Sequence, residues 1–265
     1  MKYSVITVNL NNAEGLTHTI NSVISQTFDD FEYIVIDGGS TDSSVDIIKQ
    51  NERQIDFWIS ETDNGIYHAM NKGVCHAHGD YCIFMNSGDS FINNDVLNKF
   101  CCGDSDEDII VGKVSVSKKG VVISPHPKGE LTFYHLYSGS IPHQGSFIKT
   151  VLLRKYPYDE NLRISSDWKF FVQSMILDNC SVRFVDEYVA QYDLNGLSSD
   201  NPQLMKQEKE TILNDIFPPR VLADFRIMKS SECLTQKITP KLRNNYFIDR
   251  ILYRIGVALL KLRGR

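Results

Sequence analysis

Four aspartates, each just past an apolar run or at a helix start, carry the chemistry this chain can do. Asp37 sits in FEYIVIDGGSTD, where residues 33–36 read as a buried strand. A carboxylate at the carboxyl end of a strand lies where open α/β sheets hold their ligands. Gly38 and Gly39 allow positive φ or close approach of backbone to ligand. Asp63 lies in SETDNGIYHAMNKGV, in a loop ahead of a helix over residues 66–76. Asp89 ends GDYCIFMNSGD, just beyond a strand over 79–85. A hard cation that bridges phosphates commonly takes one or two carboxylates, with water and phosphate oxygens completing its shell. Asp89 is the candidate ligand, and Asn86 can contribute directly or through water. Asp167, in ISSDW, falls near the start of a helix, where the macrodipole favours the ionised form. Each of these residues, taken alone, also has an ordinary use in a turn or cap.

The surrounding elements alternate. Residues 3–8 form a β-branched run too short for a helix and read as a buried strand. Asn9, Asn11 and Asn12 follow as loop, then Leu16, Ile20, Val23 and Ile24 recur at helical spacing. The strand ending near Asp37 leads to a helix over 43–49, N-capped by Thr41 or Asp42. A third strand covers 56–60. Such alternation implies a parallel sheet with helices on both faces, joined by right-handed crossovers. Beyond residue 100 the pattern changes. A hairpin is predicted from 108–116 and 121–124 around Lys118-Lys119-Gly120, and a loop over 138–148 carries His143 and Gln144. Two strands, 182–186 and 188–193, precede a polar loop, a helix over 203–217 and a boundary at Pro218-Pro219. The predicted organisation is one domain over 1–218, with halves 1–100 and 101–218, and a helical tail over 219–265.

Bulk properties narrow the classes. The 265 residues are 42% hydrophobic and 23% charged, ordinary for a globular chain. A net charge of −5 argues against a nucleic-acid binder. Six cysteines without paired spacing read as free thiols of a reducing compartment. No signal peptide and no membrane-spanning run is legible, so the expected location is cytoplasmic. The end of the chain differs from the acidic body. Ile248, Ile251, Leu252, Ile255, Leu259 and Leu262 lie at helical spacing, among Arg250, Arg254, Lys261, Arg263 and Arg265. A basic amphipathic helix of this kind predicts peripheral membrane contact through residues 246–265. No G-x-G-x-x-G turn follows the first strand, which argues against a dehydrogenase. The Gly-rich, Arg/Lys-bearing loop of a nucleotidyltransferase is also missing.

Several segments together resemble one family. SVITVNLNN, FEYIVIDGGSTDSS, SETDNGIYHAMNKGV, GDYCIFMNSGD, HQGSF and SSDW occur in the order and spacing of inverting family 2 glycosyltransferases, over roughly residues 1–200. The nearest pattern is that of bacterial surface-polysaccharide enzymes of the colanic acid type. The resemblance implies a GT-A fold, a Rossmann-like, mostly parallel central sheet with helices on both faces and a C-terminal helical tail. It implies a nucleotide-sugar donor and a divalent metal (Mg²⁺ or Mn²⁺), and the basic tail adds the expectation of a lipid-linked or oligosaccharide acceptor. Thr7 and Asn9 match residues that touch the nucleotide, and Asp37 one that contacts base and ribose. Asp63, Asn71 and Lys72 match the segment lining nucleotide and donor sugar. Asp89 matches the last aspartate of a DxD-type metal motif, which here keeps a single carboxylate. Asp167 matches the catalytic base, and His143, Gln144 and Trp168 match segments near acceptor or donor sugar. The rival reading is a non-catalytic nucleotide-sugar-binding or scaffold subunit, which would explain the reduced metal motif but leaves the Asp167 segment without a use.

Overall fold

A computed structural model describes residues 2–101, 106–116, 121–123, 127, 130–192 and 201–230. The chain divides into two compact units, Met1–Ile212 and Leu213–Arg265. In the second unit the described residues 219–230 are helical, and the predicted amphipathic segment 246–265 lies outside the described residues.

The first unit is built on one nine-stranded sheet. Its first half is β1 (Tyr3–Asn9), β2 (Phe31–Asp37), β3 (Phe57–Ser60) and β4 (Tyr81–Phe84), all parallel, in the order β3-β2-β1-β4. Between them run α1 (Ala13–Ile24), α2 (Ser44–Gln50) and α3 (Ile66–His76). All seven residues of β1 are buried, because helices cover both faces of the sheet. That double burial is why the strand reads as a continuous apolar run and not as an alternation. Leu16, Ile20, Val23 and Ile48 join Tyr3, Val5, Tyr33 and Val35 in the main core cluster. On the other face α3 presses onto β1 at Gly73, where a Cβ would stand 2.5 Å from Ile6 Cγ2.

The second half adds β5 (Ser90–Phe91), α4 (Val96–Cys101), β6 (Ile109–Val116), β7 (Val121–Ile123), α5 (Phe133–Ser138), β8 (Ser146–Lys149), α6 (Thr150–Lys155) and α7 (Ser166–Phe171). It closes with β9 (Val182–Tyr192) and α8 (Pro202–Ile216). The order continues β4-β8-β6-β9-β5, with β7 paired to β6. Strand β8 runs antiparallel to both β4 and β6, and β9 runs parallel to β6. The β6–β7 pairing is the expected hairpin, and the mixed sheet matches the predicted mostly parallel α/β class. One expectation changes. The two strands predicted over 182–193 are a single β9, whose register against β6 shifts between Val111 and Val114. A bulge takes up the extra residues there without ending the strand.

Close packing of β1 against the turn before β4 gives a stability prediction. A Cβ on Gly79 would lie 2.5 Å from the Tyr3 carbonyl carbon and 2.6 Å from the Ser4 nitrogen, so backbone would have to move. Gly79→Ala is expected to lose about 1–3 kcal/mol of unfolding free energy. Denaturant unfolding of the purified variant measures it, and an unchanged midpoint would contradict the packing described.

Candidate active site

The carboxyl ends of the first strands lie side by side. Asn9 pairs with Asp37, and Asp37 with Ser60, so three polar residues end three adjacent strands at one level. The turn after β4 continues along β1, its Ser87 N–H donating to the Val8 carbonyl at 3.1 Å. Gly88 adopts φ 105° and the Asp89 N–H closes the turn onto the Asn86 carbonyl at 2.9 Å. Thr19, wholly buried in α1, anchors this turn by donating its hydroxyl to the Asp89 carbonyl at 2.6 Å. These elements bring Asn9, Asn86 and Asp89 to the wall of one cavity of about 610 Å³. The same cavity is lined by His143, Gln144, Arg163 and Asp167, and by Tyr67 and Met70 of α3.

Asp167 is held from three directions. One oxygen accepts from the Tyr67 hydroxyl at 3.2 Å and from the Trp168 amide at 2.8 Å. The other lies 3.0 Å from His143 Nδ1. Burial works against the charge, yet the His143 ring, the Trp168 amide and Lys209 hold the Asp167 carboxyl below the usual aspartate range. It is therefore ionised at neutral pH. Burial and the neighbouring Asp167 charge push the Tyr67 phenol well above its ordinary value, so it stays protonated and donates. While its Nδ1 faces Asp167, His143 Nε2 lies 3.3 Å from the Asn86 Nδ2 amide. A polar chain thus runs from Asp167 through His143 to Asn86, next to Asp89.

The structure does not bring every sequence-predicted residue to the cavity. Asn9, Asp63, Asn86, Asp89, His143, Gln144 and Asp167 wall it. Thr7 does not: it is fully buried, and its hydroxyl donates to the Met85 carbonyl at 2.7 Å beneath the floor. Asp37 is also fully buried and turned inward. Its carboxylate accepts from the Ser40 and Ser60 hydroxyls, both at 2.6 Å, the Ser40 amide at 2.9 Å and Asn9 Nδ2 at 2.7 Å. Burial opposes its charge, but these four bonds keep the carboxyl below its usual range. Asp37 therefore shapes the turn, and Gly38 presents the surface. Gly39 in that turn has φ 80°, a conformation side chains disfavour.

The neighbours Asn71 and Lys72 leave α3 in different directions, as consecutive helical residues must. Lys72 reaches Asp63 at 2.5 Å and Glu61 at 2.8 Å, while Asn71 clamps the Tyr158 backbone through both its amide atoms. Trp168 is 1% exposed, its indole N–H bonded to the Leu136 carbonyl at 2.9 Å. It lines a second cavity of about 200 Å³, together with Ile141, Ile164, Met205 and Lys209, and that cavity has His143, Gln144, Ile164, Asp167 and Tyr192 in common with the first. The N-cap of α2 is Ser43 and not the predicted Thr41 or Asp42; Asp42, one residue earlier, accepts from the Ser44 amide at 3.0 Å and also from Ala13 at the start of α1, again at 3.0 Å. Sequence reading missed Tyr67 and Arg163, since a tyrosine on an amphipathic helix reads as core and a loop arginine as solvated surface.

The donor set fits a hard divalent cation. Asp89 offers a carboxylate and Asn86 Oδ1 is a buried oxygen without a hydrogen-bond partner. No cluster of three or more His, Cys, Asp or Glu with metal-binding geometry occurs among the described residues. Substrate oxygens would have to complete any such shell. Asn9 Oδ1 and Asp63 Oδ2 are likewise buried acceptors without a partner, both on residues of the cavity wall.

A family model, glycosyl transferase family 2, matches residues 4–154. The chain belongs to this family. An uncharacterized glycosyltransferase of Mycobacterium tuberculosis is 32% identical to it over 209 residues, covering 74% of this chain and 76% of the relative. A PGL/p-HBAD biosynthesis glycosyltransferase of Mycobacterium bovis is 30% identical over 210 residues, covering 74% and 79%. Among solved structures, Staphylococcus aureus TarS 1-349 in complex with UDP-GlcNAc superposes with a TM-score of 0.68 at 21% identity, covering 82% of this chain and 66% of that one. Against longer TarS, this family 2 chain spans 43% of the neighbour. A mannosyltransferase of Pyrobaculum calidifontis, in complex with GDP-Man and Mn²⁺, gives 0.60 at 14% identity, covering 97% and 80%. This family 2 glycosyltransferase thus shares its fold with them. Among the described residues, no helix is long and apolar enough to cross a membrane.

Proposed function

We propose that this family 2 glycosyltransferase transfers a sugar from a nucleoside-diphosphate sugar to an acceptor hydroxyl with inversion, using Asp167 as general base and Asp89 as metal ligand. The observation that carries the reading is that these two carboxylates face one cavity, with the ionised Asp167 held by His143 and Tyr67. Asn9 and Asp63 would accept from the donor groups of base and ribose. Asp89 and Asn86 Oδ1 would hold a divalent cation, which neutralises charge growing on a leaving diphosphate. Asp167 takes the proton of the acceptor hydroxyl as that oxygen bonds to the anomeric carbon. On the opposite side the bond from that carbon to the diphosphate oxygen breaks, and the nucleoside diphosphate leaves. His143 and Tyr67 hold the Asp167 carboxylate at the cavity wall. A binding-only scaffold gives this base arrangement no use.

The acceptor in this proposal is a lipid-linked or oligosaccharide glycan of bacterial surface-polysaccharide assembly. The similarity to a PGL/p-HBAD biosynthesis enzyme is in keeping with glycolipid chemistry. The protein would then work in the cytoplasm, peripherally on the inner membrane face through the basic residues of 246–265. Removing those residues is expected to move the protein from the membrane to the soluble fraction, and unchanged fractionation would refute membrane contact through that segment. The transfer proposal is tested by titrating UDP-, GDP- and dTDP-sugars with and without Mn²⁺ and assaying nucleotide release. Metal-dependent binding with slow hydrolysis is expected for at least one donor. Absence of both across the panel would overturn the proposal.

A further inference from the structure

We infer that Glu208 is a positioning residue for the transfer reaction: its carboxylate, reaching from α8, grips the backbone strip that carries Asp167. The inference rests on the reading of Asp167 as the base. Glu208 is 9% exposed, although α8 presents mostly polar residues to solvent. A carboxylate is costly to bury unless its oxygens are hydrogen-bonded. Here they are: Oε1 accepts from the Arg163 amide at 2.7 Å, and Oε2 from the Ile164 amide at 3.0 Å and the Ser165 amide at 2.9 Å. Three successive backbone N–H groups converge on one anion, the arrangement of a backbone nest.

What Glu208 holds matters more than the bonds themselves. Arg163 and Ile164 wall the larger cavity, while Ile164 and Ser165 wall the smaller one. Asp167 faces both, two residues beyond the grip. The strip therefore lines both cavities and leads into α7. Ser165 stands at the N-cap of α7 but makes no side-chain cap bond, and its hydroxyl oxygen has no partner. The Ser165 side chain thus ties down nothing in its own turn, and a carboxylate 43 positions away holds its backbone amide instead. Asp167 is fixed at its carboxylate by His143, Tyr67 and the Trp168 amide, and the backbone that ends two residues before it is fixed by Glu208. Displacing a catalytic group by about 1 Å costs on the order of 10²-fold in rate.

The test compares full-length Glu208→Gln, Glu208→Ala and Asp167→Asn with the wild type. Readouts are turnover of the UDP-, GDP- and dTDP-sugar panel with Mn²⁺, nucleotide affinity, and folded fraction by circular dichroism. Gln keeps one acceptor oxygen and loses the other, so Glu208→Gln is expected to lower kcat about tenfold and Glu208→Ala up to about 100-fold. The KM for donor and the nucleotide Kd should stay nearly unchanged, a split that loss of fold alone would not produce. If Glu208→Ala does not fold, the isosteric Gln variant carries the test. Wild-type kcat per folded molecule in the Glu208 variants, beside an inactive Asp167→Asn, overturns the positioning role and leaves the base in place. Full activity in Asp167→Asn instead overturns the base and the inference built on it.

Discussion

Asp167→Asn is expected to bind the nucleotide as the wild type does and to transfer sugar about 10²- to 10⁴-fold more slowly. The substitution is nearly isosteric. An Asn carbonyl oxygen can still accept from the Tyr67 hydroxyl or from His143, so the wall of the cavity keeps its shape. What it cannot do is take the acceptor proton. Donor binding is expected to survive, because Asn9 and Asp63 line the cavity on their own partners and neither is bonded to Asp167. The measurement is nucleotide titration beside steady-state release on the same preparation. Turnover within about threefold of wild type would move the base elsewhere, His143 being the adjacent candidate.

Asp89→Ala should have an effect of similar size by a different route. Asp89 is the cavity's single carboxylate on the β4–β5 turn, and Asn86 beside it can supply only a neutral oxygen. Losing the anionic ligand is expected to remove the dependence of nucleotide binding on Mn²⁺ and to lower transfer more than about 100-fold. Thr19 bonds the Asp89 main chain and not its side chain, so the turn itself should persist. Nucleotide affinity measured with Mn²⁺ and with a chelator separates the cases. If the variant still gains affinity from Mn²⁺, the cation is held by other groups.

The fold of the first hundred residues was legible because helices on both sides of the sheet leave apolar runs that only a buried strand explains. Helix 66–76 emerged with its predicted bounds, and the strands shifted by at most a few residues. The site was legible as a set of segments and less so as a set of side-chain directions. Asp37 marks its turn in the sequence, but its inward rotation depends on Asn9 and Ser60, which neighbouring strands supply. Thr7 follows strand alternation into the core, where Met85 and Tyr33 occupy its hydroxyl. Lys72 and Asn71 divide because adjacent helical positions point about 100° apart. Cys75, Cys82 and Cys180 are free thiols. Glu208 was invisible, since nothing near it in the chain marks it as the partner of amides at 163–165.

The most direct measurement is a crystal structure of the full chain with a nucleoside-diphosphate sugar, Mn²⁺ and the Asp167→Asn substitution to block turnover. The proposal places the diphosphate and metal against Asp89 and the anomeric carbon facing residue 167, with the nucleoside between Asn9 and Asp63. A nucleotide bound outside that cavity, or an anomeric carbon turned away from residue 167, would contradict it.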